Sequence, residues 1–179
     1  MRVNFANLSR PIPGQLREAL PADLGTFEWS ATSWMAKAWF GNRAIHYELW
    51  VRDSAKVIEL GLHFESDALT NARLLGAFRA RGREIKRALG ADARIEEWDK
   101  GWARIWEPFP LEEMDEAHAD RIRTRFVEYV RVLEPIVRDE LPNDVEWDLA
   151  KPKRASVPKA APVKRAARGS AIRASRSAR

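Results

Sequence analysis

The chain has 179 residues, which suits one domain with a core large enough to need no covalent staples. Cysteine is absent, which excludes disulfides, zinc–thiolate sites and thiol catalysis. Ten of the 31 basic residues and no acidic one lie from Lys151 onward, so a mildly acidic body, 21 basic against 26 acidic, carries a cationic C-terminal segment.

Residues 1 to 28 are punctuated by Pro11, Pro13, Gly14, Pro21 and Gly25, and read as irregular apart from a short helix over Gln15 to Leu20. From Trp29 the pattern turns to alternation, the mark of half-buried strands. Trp34, Ala36, Ala38 and Phe40 form one apolar row, and a Gly41–Ala44 turn follows. Ile45, Tyr47, Leu49 and Val51 form the next, and Arg52–Lys56 turns again into Ile58, Leu60, Leu62 and Phe64. Tight hairpins would place the three rows on one face of an antiparallel meander.

Ser66-Asp67 offers a cap for a helix whose stripe is Leu75, Phe78, Ile85 and Leu89, with Gly90 as its stop and Gly82 on the same face. A second hairpin runs from Arg94 to Glu107 around Asp99-Lys100-Gly101. It sets Trp98 opposite Trp102, Glu96 opposite Arg104 and Ile95 opposite Ile105. The last helix is expected from about Glu112 to Glu140, with an acidic first turn, a stripe of Ile122, Phe126, Tyr129, Leu133, Ile136 and Val137, and a kink at Pro135. The fold expected is α+β: a five-stranded antiparallel sheet in the order βββ-α-ββ-α, with helices on one face. Residues 29–149 form the domain, and 150–179, lacking aromatic residues, read as a disordered basic tail.

The tail carries Lys151, Lys153, Arg154, Lys159, Lys164, Arg165, Arg168, Arg173, Arg176 and Arg179, spaced by small residues and proline. Such a flexible polycation binds DNA or RNA by counterion release, without reading bases. No lipidation cysteine or apolar helix face accompanies it, so a membrane partner is not expected. A cytoplasmic protein follows as the default, since no secretion signal and no run of ~20 apolar residues is visible.

On the polar side of the meander the same register sets His46 opposite His63, Lys37 opposite Glu48 and Trp50 opposite Glu59, with Glu65 two residues beyond His63. Two imidazoles beside carboxylates suit a divalent metal or acid/base chemistry. Ordinary cross-strand pairing is the stronger explanation, with Lys37 and Glu48 as one such pair, so no catalytic residue, metal or cofactor is assigned. A metal-dependent enzyme using His46, His63 and Glu48 remains the third reading. Trp39, Trp50, Trp98 and Trp102 project from this face and mark it for a protein partner or a second copy. His118, on an acidic helix start, reads as surface. Phosphate-cradling and nucleophile-elbow glycine patterns are absent.

Three stretches resemble an uncharacterised bacterial domain often attached to restriction-endonuclease-like nuclease domains. They are His46-Tyr47-Glu48-Leu49-Trp50-Val51, the helix end Arg83-Glu84-Ile85-Lys86-Arg87-Ala88-Leu89-Gly90, and the hairpin Arg94-Ile95-Glu96-Glu97-Trp98 with Ala103-Arg104-Ile105. The resemblance implies an accessory role beside nucleic-acid enzymes and supplies no catalytic residue. The element order is also similar to that of small secretion-chaperone-like dimers, which makes a homodimeric protein-interaction module the second reading. The first is a non-enzymatic binding module whose tail confers nucleic-acid affinity.

Overall fold

A computed structural model describes residues 3–24, 26–111 and 114–141. The tail cations, Trp147, and the expected helix start at Glu112 and Glu113 lie outside the described residues.

The sheet has six antiparallel strands, one more than the sequence patterning indicates. They are β1 (Glu28–Ala31), β2 (Met35–Trp39), β3 (Ile45–Arg52), β4 (Val57–Phe64), β5 (Arg94–Glu97) and β6 (Ala103–Pro110). Their spatial order is β1-β2-β3-β4-β6-β5. The first four form a meander; β6 then lies against β4, and β5 takes the far edge. The helices are α1 (Phe5–Ser9), α2 (Ile12–Ala19), α3 (Ala68–Ala80), α4 (Gly82–Leu89) and α5 (Glu116–Glu140). The described order is therefore ααββββααββα, which corrects the expected βββ-α-ββ-α.

The turns act as their residues require. Gly41 at φ +76° opens the β2–β3 connection, and Asn42 Oδ1 accepts the Ala44 amide at 2.9 Å. Lys56, at φ +55°, closes the turn into β4. Gly101 at φ +75° completes the β5–β6 hairpin, where the Trp98 amide donates to the Trp102 carbonyl. Register follows: Ala38 pairs with Tyr47, Tyr47 with Leu62, Leu62 with Ile105, and Ile105 with Ile95.

These residues head the apolar face. Tyr47, Leu49, Ile58, Leu60, Leu62, Phe64 and Ile105 are almost wholly buried there, in one cluster with side chains from every helix named above. From α5 the cluster takes Ile122, Phe126, Tyr129, Leu133, Ile136 and Val137, the stripe the heptad-like spacing marks. Asp67 caps α3, its Oδ1 accepting from the Leu69 and Thr70 amides. The expected single helix over this stretch divides at Arg81 (φ −89°, ψ 9°), and Gly82 begins α4 beside Ile95.

Three expectations are corrected. The expected short helix over Gln15 to Leu20 is present as part of α2, but the described residues before β1 are otherwise less irregular than expected, because α1 and α2 bury Leu8, Ile12 and Leu16 completely. Arg123 of α5 anchors them by donating to the carbonyls of Asn7 and Leu8 at 2.9 and 3.1 Å. Trp34 does not join the core row; it precedes β2 in the turn and is 49% exposed. His118 is buried, held between the Pro110 carbonyl at 3.0 Å and Arg121 at 2.8 Å. No described helix is long and apolar enough to cross a membrane.

Candidate functional site

The second face of the sheet is built from the alternate residues of the same strands. Pleating sends Lys37, Trp39, His46, Glu48, Trp50, Glu59, His63, Arg104 and Trp106 to this side. The ladder pairs Lys37 with Glu48, His46 with His63, Trp50 with Glu59 and Glu96 with Arg104, as the hairpin reading requires. His46, Glu48, Glu59, His63 and Arg104 are buried nonetheless. Aromatic and guanidinium groups form a roof over them, so this face is a stacked polar layer rather than a solvated one.

Two charge clusters flank the histidines. In the first, Lys37 Nζ donates to His46 Nε2 at 2.8 Å and stands 2.7 Å from Glu48 Oε2. That second approach is too oblique for a hydrogen bond, so the attraction there is Coulombic. His46 Nδ1 donates to the Arg43 carbonyl at 3.0 Å, which fixes the Nδ1–H tautomer and leaves Nε2 as the acceptor. Burial acts to raise the Glu48 carboxyl, but the Lys37 ammonium opposes it, and the carboxyl is held below its ordinary value.

In the second cluster Glu59, wholly buried, accepts from Arg104 through Oε1 and from Arg52 through Oε2 at 3.1 Å. Burial drives its carboxyl above the ordinary value, with the two guanidiniums opposing. Arg104 also donates to Glu96 Oε1 at 2.7 and 3.0 Å, and the Trp106 indole donates to the same oxygen at 2.6 Å. The Arg104 guanidinium lies over Trp98 and Trp106, at 4.9 and 4.0 Å from the ring centroids. Such cation–π stacking, desolvated as here, is worth roughly 2 kcal/mol.

Between the clusters the His46 and His63 rings stack with centroids 5.6 Å apart and planes 10° from parallel. Trp98 seals His63 edge-on at 5.5 Å. Burial drives His63 down to about 3, so the ring is neutral at physiological pH. Neither of its ring nitrogens has a hydrogen-bond partner; Glu59 Oε1 stands 3.6 Å from Nε2, beyond hydrogen-bond reach. One ligand atom each from His46, His63 and half-buried Glu65 lie within 4.8 Å of one another. The carboxylate grouped with the imidazoles is therefore Glu65, whereas the sequence reading names Glu48, which is engaged with Lys37.

The marked tryptophans separate into two groups. Trp50, Trp98 and Trp102 are half-buried and form a chain of ring contacts at 6.3 and 5.8 Å. Trp39 is buried beneath Arg43, whose guanidinium sits 5.1 Å above its ring. Cations also cover Trp50 and Trp102, through Arg52 and Lys100 at 5.3 Å each. Two open clefts, of about 370 and 500 Å³, lie elsewhere: one around Pro21, Leu24 and Pro135, the other around Arg94, Phe109 and Arg121.

These features define an α+β protein with an apolar helical layer on one sheet face and a self-neutralised histidine, carboxylate and tryptophan–arginine layer on the other. No family model, curated protein or solved structure matches the chain.

Proposed function

We propose that the chain is a non-enzymatic binding module whose cationic segment, residues 151–179, confers sequence-independent affinity for nucleic acid. The observation that carries this reading is the segregation of charge: ten Lys and Arg without one Asp or Glu, beside a body of opposite net sign. The sheet face adds to it by elimination. Lys37, Arg52 and Arg104 are each engaged with a buried carboxylate, and several tryptophan rings are covered by cations, so neither phosphate binding nor base stacking is assigned there. The resemblance to a domain that accompanies nuclease domains agrees with an accessory role.

Fluorescence anisotropy with two duplexes of unrelated sequence tests it. If about half the cations engage, log K falls against log salt with a slope of roughly −4 to −5, equally for both duplexes. A chain with the ten Lys and Arg replaced by Gln loses that affinity while its circular dichroism is unchanged. Binding that ignores salt, or that survives the replacement, removes the proposal.

A second reading is favoured by the Trp50–Trp98–Trp102 chain, which gives the polar-aromatic face the composition of an interface centre. In this reading the face pairs with a second copy. Sedimentation velocity showing a monomer at every concentration rejects it.

A further inference from the structure

His63 is the least satisfied polar group in the described structure. It is wholly buried, and both ring nitrogens lack a partner. An orphaned polar atom at such depth has given up its water without a replacement partner. Hydrophobic packing does not account for an imidazole there, since a leucine would fill the space under Trp98 without that loss. A buried imidazole with a free ring nitrogen does, however, suit a metal ion, because coordination uses a nitrogen lone pair that no donor has taken.

The neighbours complete a donor set. His46 stacks on His63, and its ring is oriented from both sides by the Arg43 carbonyl and Lys37. Orientation of this kind is what supporting groups supply to ligating histidines. Glu65, two residues along β4's direction from His63, is half-buried, and its carboxylate makes no hydrogen bond or ion pair among the described residues. Donor atoms of these three lie within 4.8 Å of one another. Tetrahedral ligands at ~2.1 Å from a metal lie roughly 3.4 Å apart, so closure asks for a rotamer change of about an ångström. Glu65, free and partly exposed, is the group able to make it.

We propose that His46, His63 and Glu65 form a binding site for one divalent transition-metal ion of the zinc class. Two nitrogen donors and one carboxylate oxygen favour Zn²⁺, Co²⁺ or Ni²⁺ over the hard cations Mg²⁺ and Ca²⁺, which take oxygen shells. Water completes the coordination on the Glu65 side, where the site reaches solvent. Lys37 is the native competitor: its ammonium already stands against His46 and Glu48, and its side chain, a fifth exposed, swings outward when the ion enters. The site neither requires the nucleic-acid proposal nor supports it.

The test titrates the full chain with Co²⁺, following the visible ligand-field absorption, and with Zn²⁺ by calorimetry. One equivalent binds, and Glu65→Gln weakens binding at least about tenfold with the far-ultraviolet dichroism unchanged. His63→Asn abolishes it; should that variant misfold, Glu65→Gln alone decides. The chain's third histidine, His118, is the internal control, and His118→Gln leaves binding unaltered. No uptake by the full chain, undiminished uptake by Glu65→Gln, or uptake lost only in His118→Gln overturns the proposal.

Discussion

Replacing Glu134 by Gln should stabilise the protein at pH 8 and leave it nearly unchanged near pH 5. Glu134 sits on the buried side of α5, where it accepts from the Tyr47 hydroxyl at 3.1 Å and from Arg138 Nε at 3.1 Å. Burial lifts its carboxyl from 4.5 to about 7, despite the opposing Arg138 charge and the Tyr47 hydrogen bond. Between those values the native state holds a proton that the unfolded chain has released, so stability falls as the pH rises through that window and is flat above it. A displacement of this size corresponds to about 3 kcal/mol when complete. Glutamine keeps the shape: its carbonyl accepts from Arg138, and its amide donates to the Tyr47 oxygen, since a hydroxyl reverses its role readily. Urea unfolding followed by tryptophan emission at pH 5, 6, 7 and 8 measures both proteins, and titrations common to the two cancel in the difference. The gap should open with pH, by about 2–3 kcal/mol. A gap that is constant from pH 5 to 8, or one that favours the native protein at pH 8, refutes the assignment.

Other substitutions probe the polar-aromatic layer and its supports. A methyl group on Gly61 would lie 2.8 Å from the Ile105 carbonyl oxygen and 2.8 Å from Trp106 Cβ, atoms that cannot yield, so Gly61→Ala should cost about 1–3 kcal/mol in thermal or urea unfolding. Arg104→Met strands the wholly buried Glu59 with Arg52 alone and should cost about 3 kcal/mol or more, much of it recovered when Glu59→Gln is added; an unrecovered double variant contradicts the pairing. Asn71, buried, accepts the Ser66 amide at 3.0 Å and donates to the carbonyls of Ser66 and Gly101 at 3.0 and 3.1 Å. Asn71→Ala should therefore lower stability by about 2–3 kcal/mol and speed hydrogen exchange in the β5–β6 turn.

The meander was legible because its pattern has period two and polar turn segments, one of them opened by Gly41, interrupt it, so the His46–His63 pairing could be placed from sequence. β1 was not, since four residues with a single Trp show no alternation, and its turn is held by Thr32 Oγ1 accepting the Met35 amide at 3.1 Å. Pro11 and Pro13 read as breakers, yet they occupy the N-cap and first turn of α2, where a missing amide hydrogen is harmless. His118 gives no local sign of burial, because its partner carbonyl belongs to Pro110 at the end of β6. The depth of the histidine site was likewise hidden. It depends on Arg104 and Trp98 folding over the strands from a hairpin some forty residues downstream, and alternation alone makes that side look wet.

The dependence of every layer on α5 bears on how the chain matures. Tyr47, Leu62 and Phe126 meet in one cluster, and α1, α2, α3 and α4 all contact α5. Until residues 116–140 have been synthesised, the oily surface of β3 and β4 that α5 covers, and the sides of the four earlier helices that pack on it, have no permanent cover. Nascent chains of this protein should thus engage holdase chaperones late into translation, and premature termination before α5 should yield insoluble fragments rather than smaller working ones.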